Sequence, residues 1–265
     1  MYRSVNGFQM AYSAGGAGQP LLFVHGYPLN RQIWTPQLDN LADSGYLIAP
    51  DLRGHGESDP VPGPYSMDLL ADDLNALLDR LEVRKKVILC GLSMGGYVAL
   101  AFWRKYASRL KALILTATRA APDSPEARVA RDQAAATVRQ SGIEPIVAGM
   151  LPRLLAPETL QNNPALVEQI GAIMRSTSSA GVLGDLAGMR DRPDSRPDLK
   201  NIELPTLILH GQEDQIVPVQ EAQEMFAALP NSRLRLIPHA GHLPNLEQPA
   251  RFNAAIREFV TNFNL

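Results

Sequence analysis

The sequence predicts an α/β protein: a doubly wound, mostly parallel sheet with an inserted helical lid. Three observations carry that reading. Short apolar runs alternate with segments of helical periodicity, the spacing that parallel pairing through right-handed crossovers requires. Several runs end on glycine or His-Gly, as at Val24-His25-Gly26, Cys90-Gly91 and His210-Gly211, and in such sheets reactive groups collect in loops at the strands' carboxyl ends. Between Arg119 and Lys200 the strand-like runs stop, and only helical segments broken by prolines and glycines remain. The core therefore comprises residues 1–118 and 201–265, and residues 119–200 form the lid.

In chain order, Phe8 to Ser13 reads as a hairpin strand closed by the loop Ala14-Gly15-Gly16-Ala17-Gly18. Pro20 to Val24 is a buried strand leading into His25-Gly26, and a helix is expected from Gln32 to Ala42, carrying Ile33, Trp34, Leu38 and Leu41. Tyr46 to Pro50 is a strand that runs into Asp51-Leu52-Arg53-Gly54-His55-Gly56-Glu57-Ser58. Met67 to Leu81 repeats leucine at helical spacing (Leu70, Leu74, Leu77, Leu78, Leu81), with Ser66 placed as its N-cap. Val87 onward is a strand, a helix starts near Met94, and Lys111 to Thr116 is a further strand. The lid helices are expected near 126–140, 143–155, 165–174 and 182–190. The α/β rhythm then resumes with a strand at 204–211, a helix at 219–229, a strand at 233–238 and a last helix opened by Pro249.

Composition bounds the function. The chain has 265 residues, 45% of them hydrophobic, enough for one full core. A net charge of −2 with both signs interspersed sets up no field for nucleic acid or an anionic membrane. Arginines gather between Arg119 and Arg139, among alanines and acids, in the pattern of a solvated helix face. The one cysteine, Cys90, excludes an internal disulfide and lies inside an apolar strand, as a packing residue. With no stretch of about 20 apolar residues and no apolar leader region, a cytoplasmic location is expected.

The chemistry is concentrated at Gly91-Leu92-Ser93-Met94-Gly95-Gly96, between a strand and a helix. There G-x-S-x-G describes a turn so sharp that its serine is held in a strained backbone, with small residues on both sides because the two segments nearly touch. A serine hydroxyl is a poor nucleophile unless a base takes its proton, and the base needs an orienting acid. The required order, Ser, then Asp or Glu, then His, is available: Gln212-Glu213-Asp214 follows one later strand, and His239-Ala240-Gly241-His242 follows the next.

Together with His25-Gly26, Asp51 to Ser58 and Gly241-His242, these motifs resemble those of the serine α/β-hydrolases with a helical lid, along nearly the whole core. The resemblance implies Ser93 as nucleophile, His242 as base and Asp214, the third residue after Gly211, as orienting acid. It implies backbone oxyanion donors at Tyr27 and Met94, and structural roles for His25, Asp51, Arg53 and His55. No metal or organic cofactor is implied. A serine in the nucleophile position points away from epoxide hydrolases and haloalkane dehalogenases, which use aspartate there, and towards a small-molecule ester, thioester or lactone substrate. A carboxylesterase is the leading expectation. The stretch from Leu243 to Asn253 also resembles the 3-oxoadipate enol-lactonases, which bind a free carboxylate, and Arg153, Arg175 and Arg190 are the lid cations available for one. C–C bond hydrolysis, hydroxynitrile-lyase-like chemistry and a non-catalytic receptor on the same fold are the further alternatives. The acyl pocket is expected among Leu29, Met150, Leu154, Met174, Leu183 and Leu243, although the apolar lid residues equally suit the lid's own core.

Overall fold

The computed structural model describes residues 1–263. Eight strands, β1 (Tyr2–Val5), β2 (Phe8–Gly16), β3 (Pro20–Val24), β4 (Tyr46–Pro50), β5 (Val87–Leu92), β6 (Leu110–Thr116), β7 (Thr206–Gly211) and β8 (Ser232–Ile237), form one sheet in the order β1-β2-β4-β3-β5-β6-β7-β8. Pairing is antiparallel at β1-β2 and β2-β4 and parallel across the rest. The helices are α1 (Thr35–Asn40), α2 (Met67–Arg80), α3 (Met94–Tyr106), α4 (Pro125–Ser141), α5 (Glu144–Leu154), α6 (Pro157–Asn162), α7 (Pro164–Arg175), α8 (Ser179–Arg190), α9 (Arg196–Leu199), α10 (Val219–Ala228), α11 (Pro244–Glu247) and α12 (Pro249–Asn262).

The continuous apolar runs are explained by burial on both faces of the sheet. Leu21, Phe23, Leu47, Ile88, Cys90, Ile114 and Leu207 point to one core, shared with Trp34 and with Phe252, Ile256 and Phe259 of α12. Leu22, Val24, Ile48, Leu89, Leu113, Leu115 and Ile208 point to the other, covered by α2, α3 and α10. Cys90 is fully buried and its thiol is pushed up to about 12 by burial, so it serves as a packing residue. Ser66 caps α2, its side chain accepting from the Leu69 amide. Helices α4 to α8 are inserted between β6 and β7, with α4 packed on α8 and α5 on α7. Among the described residues, no helix is long and apolar enough to cross a membrane.

Three local expectations are corrected. The hairpin is made by β1 and β2 around Asn6-Gly7, both with positive φ (45° and 88°), a turn dipeptide whose signal the sequence carried. The glycine stretch taken for its loop is partly strand, with Gly15 and Gly16 opposite Leu47 and Tyr46 of β4. A side chain at Gly16 would collide with the Gly45 and Ala42 carbonyl oxygens, so glycine here permits a close approach. The helix expected from Gln32 to Ala42 is split into a 3-10 turn at Arg31–Trp34, capped by Asn30, and the short α1. Pro36 lacks the amide that would continue one helix through this point, and the Thr35 hydroxyl donates to the Gln32 carbonyl instead, at 2.8 Å. The short α6, α9 and α11 are additions to the expected elements.

Candidate active site

Ser93 joins β5 to α3 with φ 55° and ψ −113°, a conformation that costs a residue with a side chain on the order of 1–3 kcal/mol. Its backbone is pinned on both sides: the Ser93 amide donates to the Thr116 carbonyl at 2.8 Å, and the Thr118 hydroxyl donates to the Ser93 carbonyl at 2.7 Å. The three glycines of the motif each permit a contact. A Cβ at Gly91 would strike the Gly95 carbonyl, one at Gly95 the Val24 carbonyl, and one at Gly96 the Thr118 side chain. Among the described residues the Ser93 hydroxyl makes no hydrogen bond that caps α3. Met94 is the first residue of α3, so its amide has no partner within the helix. Among the described residues the Tyr27 amide likewise has no backbone acceptor. Tyr27 follows Gly26, where an added Cβ would lie 3.0 Å from the Ser93 Cβ.

Asp214 and His242 leave β7 and β8 at the same sheet edge as Ser93, and the structure brings the two together. His242 Nδ1 donates to Asp214 Oδ2 at 2.8 Å, with both side chains buried. Asp214 Oδ1 accepts from the amides of Ile216 and Val217 at 2.8 and 3.0 Å. Burial alone would raise the Asp214 carboxyl, but the His242 imidazole and the Val217 amide outweigh it and hold the group below its ordinary value. An ionised Asp214 keeps the proton on Nδ1, which leaves Nε2 as an acceptor; that nitrogen is buried and has no partner among the described residues. His239 lies outside this arrangement. It is exposed on the surface, with Nδ1 3.2 Å from Glu158 Oε2.

The lid is stitched to the site from two sides. The His242 amide donates to the Leu154 carbonyl at 2.9 Å, and Glu247 accepts from the amides of both Ala156 and Gly241 at 2.7 Å. On the other side α8 lies on the loop after β4, with Gly54 and Gly181 in backbone contact and the Ser178 hydroxyl on the Gly54 carbonyl at 2.8 Å. His55 meets Asp185 of α8 at 3.0 Å, both side chains fully buried. His25 holds that loop by accepting the Leu52 amide at 2.9 Å, and burial lowers its imidazole well below the usual range. Asp51 accepts the Arg31 and Glu57 amides at 2.7 and 2.9 Å, while Arg53 pairs with buried Asp73 at 2.6 and 2.7 Å. These four residues are braces.

Burial lowers the His55 imidazole, but Asp185 outweighs it and raises the group; Asp185 is itself raised by burial. The folded pair therefore holds a proton that the unfolded chain releases above the ordinary histidine range. Stability from this pair is present below about pH 6.5 and is lost as pH rises through the folded value, with a slope approaching about 1.4 kcal/mol per pH unit for one full proton. Thermal unfolding should show Tm falling from pH 6 to 9 in the wild type and a flatter profile in Asp185→Asn. Equal slopes in the two proteins would exclude the His55–Asp185 pair as the source of the pH dependence.

Beside the site opens a cavity of about 430 Å³. It is bounded by Tyr27, the neighbour of Gly26, by Ile216, two residues past Asp214, and by Met150, Arg119, Arg131 and Arg153. Of the residues expected to form an acyl pocket, Met150 lines this cavity. Leu29, Leu154, Met174 and Leu243 are fully packed in the core shared by α5, α7 and α12, and Leu183 packs against the opposite core. Of the three lid cations, Arg153 reaches the cavity, whereas Arg175 and Arg190 make surface pairs with Glu144 at 2.9 Å and Asp132 at 2.6 Å. The charges that the sequence pattern assigned to a solvated face, Arg119 and Arg131, line the cavity instead. Ala127, Ala130 and Ala134 line it with Arg131, and that helical spacing of small residues was the available signal. Among the described residues, no group of His, Cys, Asp and Glu is arranged to hold a metal ion.

Residues 21–255 match the family model described as the alpha/beta hydrolase family. The chain is 31% identical over 251 residues to 3-oxoadipate enol-lactonase 2 of Acinetobacter baylyi, covering 94% of this chain and 92% of that protein. Among solved structures, a thermophilic esterase from Thermogutta terrifontis, determined with malate bound, superposes with a TM-score of 0.96 at 44% identity, covering 100% of this chain and 97% of that one. The enol-lactonase from Burkholderia xenovorans gives a TM-score of 0.92 at 26% identity, covering 98% and 100%. The chain belongs to the alpha/beta hydrolase family.

Proposed function

We propose that this alpha/beta hydrolase is a serine esterase that cleaves carboxylic esters of small acyl substrates through an acyl-serine intermediate. The observation that carries the reading is the buried His242–Asp214 pair, bonded at 2.8 Å with Nε2 left free, on the sheet edge from which Ser93 projects. The esterase with 44% identity and a TM-score of 0.96 supports the substrate class.

Ser93 Oγ attacks the ester carbonyl while His242 Nε2 takes its proton, and Asp214 holds the imidazole in the competent tautomer and stabilises its cation. The oxyanion is received by the amides of Tyr27 and Met94, the latter at the positive end of the α3 dipole. Both donors are fixed before substrate arrives, so no reorganisation is needed as charge develops. His242 then passes the proton to the leaving alkoxide, and the released alcohol departs. Water, deprotonated by the same nitrogen, attacks the acyl carbonyl; the bond to Ser93 Oγ breaks, His242 returns the proton to Oγ, and the carboxylic acid leaves. Hydrolysis of p-nitrophenyl butyrate tests the reading. Release of p-nitrophenolate that depends on Ser93 supports it, and equal rates in wild type and Ser93→Ala would end it.

A further inference from the structure

We infer that the cavity beside Ser93 is an anion subsite, and that the preferred substrates are esters or lactones carrying a second, ionised carboxylate. The inference rests on the esterase reading for its chemistry and on the cavity walls for its specificity. The lining holds three guanidinium groups, Arg119, Arg131 and Arg153, against one carboxylate, Asp123. That local excess of positive charge sits in a protein whose net charge is −2.

Internal pairing does not account for the excess. Asp123 is fully buried and already serves three arginines: Arg192 at 2.7 Å, Arg131 at 3.0 Å and Arg119 at 3.2 Å. Burial raises its carboxyl, but Arg131 and Arg192 outweigh that and keep it ionised. Arg192 is used up structurally, donating to the carbonyls of Met189 and Ala121 and lying over the Tyr97 ring, 4.2 Å from its centroid. Arg131 is different. It reaches Asp123 through Nε alone, and among the described residues its two terminal nitrogens have no acceptor. Arg119 has a buried Nε with no partner among the described residues, and its other acid, Glu221, is 3.8 Å away. Arg153 donates to the Gln215 carbonyl at 3.0 Å and has no acid partner among the described residues.

A second observation points to the same ligand chemistry. Tyr27 lines the cavity with only 6% of its surface exposed, and its hydroxyl is buried without a hydrogen-bond partner among the described residues. Burial, reinforced by Asp185, raises this phenol, so it is a neutral donor. A donor left unpaired in a buried site is costly unless a ligand satisfies it. A carboxylate supplies acceptors for both the phenol and the free guanidinium nitrogens, and bidentate Arg–carboxylate pairing is the strong form of that contact. A neutral acyl chain would desolvate Arg131 and Tyr27 and repay neither, so the walls select against it as well as for the acid. Tyr27 connects the two regions: its amide faces the ester carbonyl and its side chain faces the cavity. The second carboxylate is thereby held at the far end of a substrate whose ester lies at Ser93.

The test compares the monoethyl esters of glutarate, adipate and pimelate with ethyl esters in which a methyl group replaces the free carboxylate. The readout is the ratio of kcat/KM, acid over neutral, measured with wild type, Arg131→Gln, Arg119→Gln and Tyr27→Phe. The ratio should exceed one for at least one chain length in the wild type. It should fall about tenfold or more in Arg131→Gln, the size expected for losing a charge-assisted contact. Smaller falls are expected in the other two variants. In parallel, adipate dianion is titrated calorimetrically into Ser93→Ala, and into Ser93→Ala carrying Arg131→Gln; saturable, salt-sensitive binding should be present in the first and lost in the second. Esters hydrolysed with a wild-type ratio at or below one, or with a ratio unchanged in both arginine variants, would overturn the subsite and leave the esterase reading standing. Adipate bound through Arg131 by a protein that turns over no ester would do the reverse.

Discussion

Ser93→Ala is expected to lower kcat on p-nitrophenyl butyrate by about 10⁵–10⁶-fold, the scale seen when a nucleophile that works as one unit with its base is removed. The residual rate should still exceed that of water, because the two amide donors and the cavity remain. The change is clean in structural terms. The Ser93 hydroxyl makes no capping bond to α3, and the contacts that hold the strained turn come from its backbone and from Gly91, Gly95 and Gly96. Alanine keeps those contacts, so circular dichroism and Tm should stay close to wild type while turnover collapses. A variant that loses activity together with its fold would be reporting on the turn, and the melting curve separates the two.

The second large effect lies at the base. His242→Ala should cost activity on a similar scale, and Asp214→Asn about 10⁴-fold, because an amide in place of the carboxylate favours the wrong imidazole tautomer. His239→Ala should stay within about threefold of wild type, as expected for an exposed side chain remote from the reacting groups. His239 is 65% exposed and paired with Glu158, whereas His242 is 1% exposed and bonded to Asp214. Steady-state kinetics on the three variants read this directly. A severe loss in His239→Ala with His242→Ala spared would transfer the role of base to the other imidazole.

The elements that proved legible in the sequence are those whose residues obey a single constraint. Strands β3 and β5 are buried on both faces, every position is apolar or small, and the run stands out; β6 and β7 keep the same apolar run apart from Lys111 and His210. The turn at Ser93 was legible for a comparable reason: glycines at 91, 95 and 96 are each demanded by a backbone or side-chain collision, leaving little freedom to disguise the motif. Strand β1 was obscured because it is an edge strand whose first three residues are exposed, and only the Asn6-Gly7 turn marks it. The cavity was the least legible region. An arginine that lines a polar cavity and one that faces solvent have the same sequence signature: Arg131 lines the cavity, whereas Arg190 pairs with Asp132 at the surface. The leucines and methionine placed in an acyl pocket, Leu29, Leu154, Met174 and Leu243, went into the core because hydrophobicity alone does not distinguish a packed interior from a ligand wall.

The central claim is that Ser93 is the nucleophile and that His242 arms it. Intact-protein and peptide mass spectrometry after reaction with a p-nitrophenyl alkylphosphonate measures this most directly, because the phosphonyl group is not released by water on the time scale of the assay. The expected result is one equivalent of adduct on the peptide carrying Ser93, forming in step with loss of ester hydrolysis and slowed severely in His242→Ala. An adduct on another residue, or full loss of hydrolysis with Ser93 unmodified, would contradict it.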